Sequence, residues 1–312
     1  MIATTESADK ILAIRQLIAV AKRRDILFAA IGVIALSFAL CTFLALFIDM
    51  LISGWARLSP DFFTNFPSRR AENAGILSAW VGSVMVMIVT ASTAIPLGVA
   101  AAVYLEEYAP ANWLTAIIEI NISNLAGVPS IVYGLLALGL FVYRFGFGQS
   151  VLSAGLTLAL LILPVVIVAT REAIRSIPRA IREGAYALGA TKWQTTAHHI
   201  VPYSMPGILT GCIIGLSRAI GETAPIITIG ALTFIAFLPP SPVSATAPFI
   251  NFEWLHSGFT VMPIQMFNWT SRPEEAFQQN AAAAGMILVL MTLAMNALAI
   301  YMRHHLRKNI KW

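Results

Sequence analysis

Six apolar stretches, each long enough to cross a bilayer, constrain this chain more than any other feature. A helical crossing needs about 20 apolar residues, with a range of about 17–25. The stretches 26–48, 77–105, 114–143, 151–170, 207–238 and 281–302 qualify. The third holds Glu119 and is interrupted by Gly127-Val128-Pro129. That sequence predicts a short helical piece, a break near Pro129 and a main helix from Ser130. The fifth carries Arg218 and Glu222. Composition agrees with the pattern. The chain is 58% hydrophobic and 11% charged, against about 25% charged in soluble domains. So few charges cannot clothe a water-soluble enzyme, a disordered tail or a nucleic-acid module. An all-α membrane protein with six transmembrane helices is expected.

The basic residues give an orientation. Lys10, Arg15, Lys22, Arg23 and Arg24 precede the first span. Arg171, Arg175, Arg179, Arg182 and Lys192 lie in the 171–206 loop, and Arg303, Arg307, Lys308 and Lys311 follow the sixth span. With six spans all three groups fall on one side. The other side holds Arg57, Arg69, Arg70, Arg144 and Arg272. The positive-inside bias then places both termini and the 171–206 loop in the cytoplasm. The expected organisation is a cytoplasmic N-terminal segment 1–25, a six-span domain 26–303 with the cytoplasmic loop 171–206, and a cytoplasmic tail 304–312. Within 8–24, Ile11, Ile14, Ile18 and Ala21 share one helical face, the pattern of an interfacial helix. The run 26–48 is too long for a signal-peptide core and reads as a retained span. Segments 49–76 and 239–280 are long outward loops. Within the second, 273–280 predicts a helix start with Pro at N1 and acids in the first turn, feeding the sixth span.

Several chemical motifs fail on inspection. The glycine spacing of Gly184 and Gly189 imitates a phosphate loop, but Ala190 stands where its lysine belongs, so no ATP site is expected in this chain. His198-His199 and His304-His305 are sequence neighbours, which diverge on a helix and make poor chelates. Cys41 and Cys212 lie inside apolar runs and read as small buried residues. No catalytic or metal-ligating set is expected in the spans.

The loop from Pro178 reads PRAIREGAYALGATKWQTTAHHIVP. It predicts a helix beginning at Pro178, with Ile181, Ala185 and Leu188 on one face, and Gly189 at C′. Thr191 then caps a second short helix that Pro202 ends. Glu183-Gly184-Ala185, then Gly189, then Pro202, resembles the EAA motif of ABC importer permeases. The second position is Gly184 rather than Ala, and His199 and Val201 replace the expected Ile and Leu. The resemblance implies a coupling helix seated on an ATPase, with Glu183, Gly184, Ala185 and Gly189 at the contact.

The charged pair of the fifth span is the other candidate. A lone charge at mid-membrane costs at least about 2.5–3.5 kcal/mol. Arg218 and Glu222, spaced i, i+4, share a face and can pair. Gly221 would let a helix or ligand approach, and Pro225 should bend the helix. One reading is a structural ion pair between helices. The other is an oxyanion site, because a guanidinium stays charged and offers forked donors. Glu222 would hold Arg218 while the site is empty.

RAIGETAP at 218–225, GVPSIVYG at 127–134, MPIQMFNWTSRPEEAF at 262–277 and SPDFFT at 59–64 together resemble the PstA family of phosphate ABC importer permeases. The resemblance implies a MetI-like type I importer fold and a substrate pathway with Arg218, Glu222 and Thr223. It also implies a PstC-type permease partner, a PstB-type ATPase dimer and a PstS-type periplasmic phosphate-binding protein. Sulfate or molybdate transport, or a mainly phosphate-sensing role, are the alternatives.

Overall fold

The computed structural model describes residues 2–243, 249 and 251–307, and its regular elements are helices. Lys308, Lys311 and the side chains of Ile11 and Ile14 lie outside the described residues. The chain forms two compact units, Met1–Ser53 and Gly54–Trp312.

The first unit is a single helix, α1 (Ile2–Gly54). Segment 8–24 is thus helical and runs into the first span without a break. Ile26, Phe28, Ile34, Phe38 and Phe43 are all exposed, so residues 26–43 of α1 are apolar on every side, as suits a helix surrounded by lipid or by other membrane helices. Cys41, expected to be buried, is exposed, because a lone helix has no neighbour within its unit.

The second unit contains α2 (Leu77–Tyr108), α3 (Trp113–Leu125), α4 (Ser130–Arg144), α5 (Val151–Arg175), α6 (Arg179–Ala187), α7 (Lys192–Ile220), α8 (Ala224–Thr228), α9 (Met262–Thr270) and α10 (Glu275–Arg307). Helices α1, α2, α5, α7 and α10 are long and apolar enough to cross a membrane. The third stretch is the bent pair α3–α4, whose axes meet at 107°. Glu119 of α3 pairs with Arg171 near the C-terminal end of α5, while α4 leads through a short loop to the start of α5. The pair therefore covers the depth of α5 and is the candidate for the sixth crossing. Asn112 and Ser150 cap α3 and α5 by accepting from Thr115 and Ser153 N–H, which satisfies donors that lipid could not.

Helix α5 is the axis of the core, and small residues bring its neighbours close. A Cβ on Gly98 of α2 would lie 2.7 Å from Val166, and one on Gly207 of α7 would lie 2.5 Å from Ala173. Gly211 abuts Ala169, and Gly215 faces Ile162 and Val166. Gly207, Gly211 and Gly215 thus form one small-residue strip along α7, the type of surface that lets membrane helices pack backbone to backbone. The strip runs antiparallel to α5 and shows the register in which α7 lies against it.

At the Val151 end of α5, two of the singled-out sequence segments meet. Phe62 (59–64), Trp269 and Phe277 (262–277) are fully buried in one cluster with Ile76 and Met262. The Phe62 and Trp269 rings lie 6.0 Å apart. Arg57 seals the cluster: it donates to Asn280 Oδ1 (2.5 Å), Ala71 O (2.8 Å) and Ala74 O (3.2 Å) and lies over the Phe62 ring. The expected helix at 273–280 does feed the sixth span, starting at Glu275. Helix α9, inside a loop expected to be irregular, was not foreseen.

The fifth span departs most from expectation. Its helix begins at Lys192 and ends at Ile220, instead of filling 207–238. Pro202 does not end the second loop helix. A π-turn at Thr196–Ile200 shifts the hydrogen-bond ladder just before it, so the missing proline N–H breaks nothing. The loop helix and the span are one rod.

Candidate functional site

Helix α7 stops at Ile220, with Gly221 as its C-cap, and Glu222 N–H bonds back to Ala219 O. Thr223 then starts α8, with Pro225 in its first turn. The break thus precedes Pro225, as expected for residues ahead of a proline. Gly221 faces open space, with nothing within 4 Å of a Cβ placed there, so the expected close approach by a helix of this chain is not made. Close approach occurs instead at Gly134 of α4, where a Cβ would come within 2.7 Å of Pro225 Cα. GVPSIVYG and RAIGETAP, distant in sequence, are packed together at this glycine.

Arg218 sits one turn beyond Gly215, which faces Ile162 near the midpoint of α5. The register of the glycine strip therefore places it at mid-depth. Its Nε lies 3.3 Å from Glu222 Oε1, the single ion-pair contact described for it, and 41% of its side chain is exposed. Glu222 is more enclosed and borders a cavity of about 10 Å³, shared with Ser83 and Met87 of α2, Leu158 of α5 and Val261. That is room for about one water. The pair is neither sealed in a dry seam nor satisfied on all sides. Thr223 makes no capping bond with its side chain.

The hairpin formed by α6 and the start of α7 follows its sequence signals closely. Gly189 has φ +82°, Gly189 N–H bonds to Tyr186 O and Ala190 N–H to Ala185 O. This double closure is the Schellman arrangement. Thr191 and Gln194 form a reciprocal capping box. The apolar face differs from the expected one. Ala185 is buried and Ile181 half-buried, but Leu188 is 90% exposed, because the left-handed turn at Gly189 directs it away. The exposed ridge is Tyr186, Leu188 and Trp193. Glu183 and Gly184 are exposed beside it, and a Cβ at Gly184 would touch nothing. Gly184 in place of Ala is therefore sterically neutral. His198, His199, His304 and His305 are exposed.

Residues 94–312 match the model of the binding-protein-dependent transport system inner membrane component family. The chain belongs to that family. It is 32% identical to phosphate transport system permease protein PstA 1 of Mycobacterium tuberculosis over 73% of this chain and 70% of the relative. It is 28% identical to the PstA permease of Xylella fastidiosa over 91% of this chain and 95% of the relative. A solved bacterial ABC transporter involved in import of the acidic polysaccharide alginate shares the fold, with a TM-score of 0.60 at 15% identity, over 93% of this chain and 98% of that one. The all-α, multi-pass fold of an ABC importer permease expected from sequence is thus the fold observed.

In this permease the two candidate sites are one mechanical element. The 29 residues of α7 extend about 43 Å at 1.5 Å per residue, from the hairpin to Arg218. Sequence reading treated the hairpin and the span as separate and so missed this continuity. It also missed the partners of the loop arginines. Arg171 pairs with Glu106 and Glu119, Arg175 with Glu106, and Arg182 with Glu107. Three of the five basic residues of that loop are thus paired with glutamates. Glu119, anomalous within an apolar stretch, is explained by Arg171.

Proposed function

We propose that this permease is the membrane subunit of an ATP-driven importer of inorganic phosphate. It works with a PstC-type permease, a PstB-type ATPase dimer carrying ATP and Mg, and a PstS-type periplasmic phosphate-binding protein. Both termini face the cytoplasm of the bacterial inner membrane. The observation that carries the reading is the mid-depth Arg218, held by one carboxylate and otherwise open. A half-exposed guanidinium with one partner can exchange that partner for an oxyanion, whose oxygens match its forked donors. Glu222 keeps the empty site near neutral. When the anion arrives, Glu222 either releases Arg218 or takes a proton and donates a hydrogen bond. Thr223 offers a hydroxyl beside it. Glu183, Gly184, Ala185 and Gly189 form the part of the hairpin that docks on the ATPase, and α7 carries the motion to the site.

The test is uptake of labelled phosphate into vesicles holding the assembled complex, with and without excess sulfate. Uptake that resists sulfate and disappears in Arg218→Ala, at normal protein level, supports the reading. Competition by sulfate reassigns the substrate to another oxyanion. Unimpaired uptake in Arg218→Ala removes Arg218 from the pathway.

A further inference from the structure

The coupling hairpin grips α2 as well as continuing into α7, and both of its arms take part. On the first arm, Arg182 Nη2 lies 2.7 Å and Nε 3.2 Å from Glu107 Oε1. The same guanidinium donates to Ile177 O (3.0 Å) and Ile174 O (3.2 Å), carbonyls at the end of α5. Glu107 is 7% exposed and Arg182 19%. On the second arm, Lys192 Nζ lies 5.1 Å from the centre of the Tyr108 ring, within cation–π range. Glu107 and Tyr108 are neighbours in the π-turn Tyr104–Tyr108 that ends α2. Beneath them Ile174, Ile177 and Ile200 form an apolar cluster against Val103, Ile181 and Tyr203. The far part of α2 brings Ser83 and Met87 to the cavity beside Glu222.

We propose that the Glu107–Arg182 and Tyr108–Lys192 contacts form a clamp that makes α2 move with the coupling hairpin. Arg182 and Glu107 are then positioning residues for transport, acting through α2 rather than on the anion. The reasoning is mechanical. Helix α7 is joined to the hairpin through its backbone and cannot lag behind it. Helix α2 forms another wall of the Glu222 cavity and follows only if it is clamped. Without the clamp the hairpin would move one wall and leave the other, so ATP would be spent without a matched change at the site. Such a partly buried, multiply bonded pair holds its geometry where an exposed pair would not.

This rests on the importer reading above, so its test has a readout that does not depend on the substrate. Cysteines replacing Ala111 and Ala180, in a background lacking Cys41 and Cys212, carry spin labels on either side of the clamp. The distance is measured in the complete complex with its ATPase, nucleotide-free and trapped with ADP and vanadate. In the otherwise unaltered permease the distance stays the same in both states, and in Arg182→Gln it lengthens on trapping. Phosphate moved per ATP hydrolysed falls about tenfold in Arg182→Gln while ATP hydrolysis continues, a coupling loss of the size reported for residues remote from either ligand. Arg182→Lys, which keeps a charged donor toward Glu107, recovers part of the ratio, and the thermal midpoint of the assembled Arg182→Gln complex stays near the parent's, which a merely structural role would not allow. Should Arg182→Gln fail to assemble, Tyr108→Leu with Lys192→Gln breaks the second arm and lowers the same ratio. A distance that changes on trapping without any clamp substitution, or an unaltered ratio in an assembled clamp variant, overturns the proposal. If another oxyanion is transported while the distance stays constant, the phosphate reading fails and the clamp stands.

Discussion

Arg57 and Arg218 are the same side chain in opposite circumstances. Arg57 donates to a side-chain oxygen and two backbone carbonyls and covers the Phe62 ring. Arg218 has one carboxylate contact, at 3.3 Å, and 41% of its side chain is open. Arg57 closes a cluster built from loops at one end of the bundle, where every polar group needs an internal partner. Arg218 stands at a helix break, where the backbone has left the α-helical path and the chain has supplied only one counter-charge. A saturated guanidinium is a brace; an undersaturated one is offered to something else.

The comparison breaks most readily at Arg218. Arg218→Ala should abolish phosphate uptake, and Arg218→Lys should lower it by about tenfold or more, because an ammonium lacks the planar fork. In both variants the thermal midpoint of purified protein should stay near that of the parent. A matching fall in midpoint would make Arg218 a second brace. Arg57→Ala should show the reverse. Leaving Asn280 and the Ala71 and Ala74 carbonyls without their donor should cost about 1–3 kcal/mol, read as a lower melting temperature and reduced protein level. Gly134→Ala should cost about 1–3 kcal/mol, since the added carbon meets Pro225 and a packed interface yields little. Its uptake should fall too, because α8 would be pushed away from α4. Glycines of the hairpin give the smallest effects. Gly189→Ala, at φ +82°, should cost about 1 kcal/mol. Gly184→Ala should stabilise α6 by about 0.5–1 kcal/mol in a thermal-unfolding comparison of the purified permease.

Where local chemistry decides, the sequence was a good guide. The spans follow from apolar length, the α3–α4 break from Gly127 to Pro129, and the hairpin from Gly189 and the Thr191 cap. Where a proline or a ring of neighbours decides, it misled. Pro202 looks like a terminator, but the π-turn before it is a ladder shift with no residue signature of its own. Leu188 looks like part of a buried face until the direction of the Gly189 turn is known. Of the candidate site, Arg218 and Glu222 stood out in the sequence because charge in an apolar stretch is costly, while Thr223 came only with the family resemblance. Their depth did not show, because it depends on which α5 residues the α7 glycines meet. The Glu107–Arg182 contact was hidden for a similar reason, since positive residues in a loop look alike whether or not distant carboxylates reach them.

The bare strip of Gly207, Gly211 and Gly215 has a consequence for travel. Side chains that interlock act as teeth, and sliding past them demands that each one change rotamer in turn. Along this strip α7 presents a smooth bearing to α5, so a modest push along its axis meets little friction. Bulkier residues there would find no room against Ala173 and Ala169 and would wedge the two helices apart.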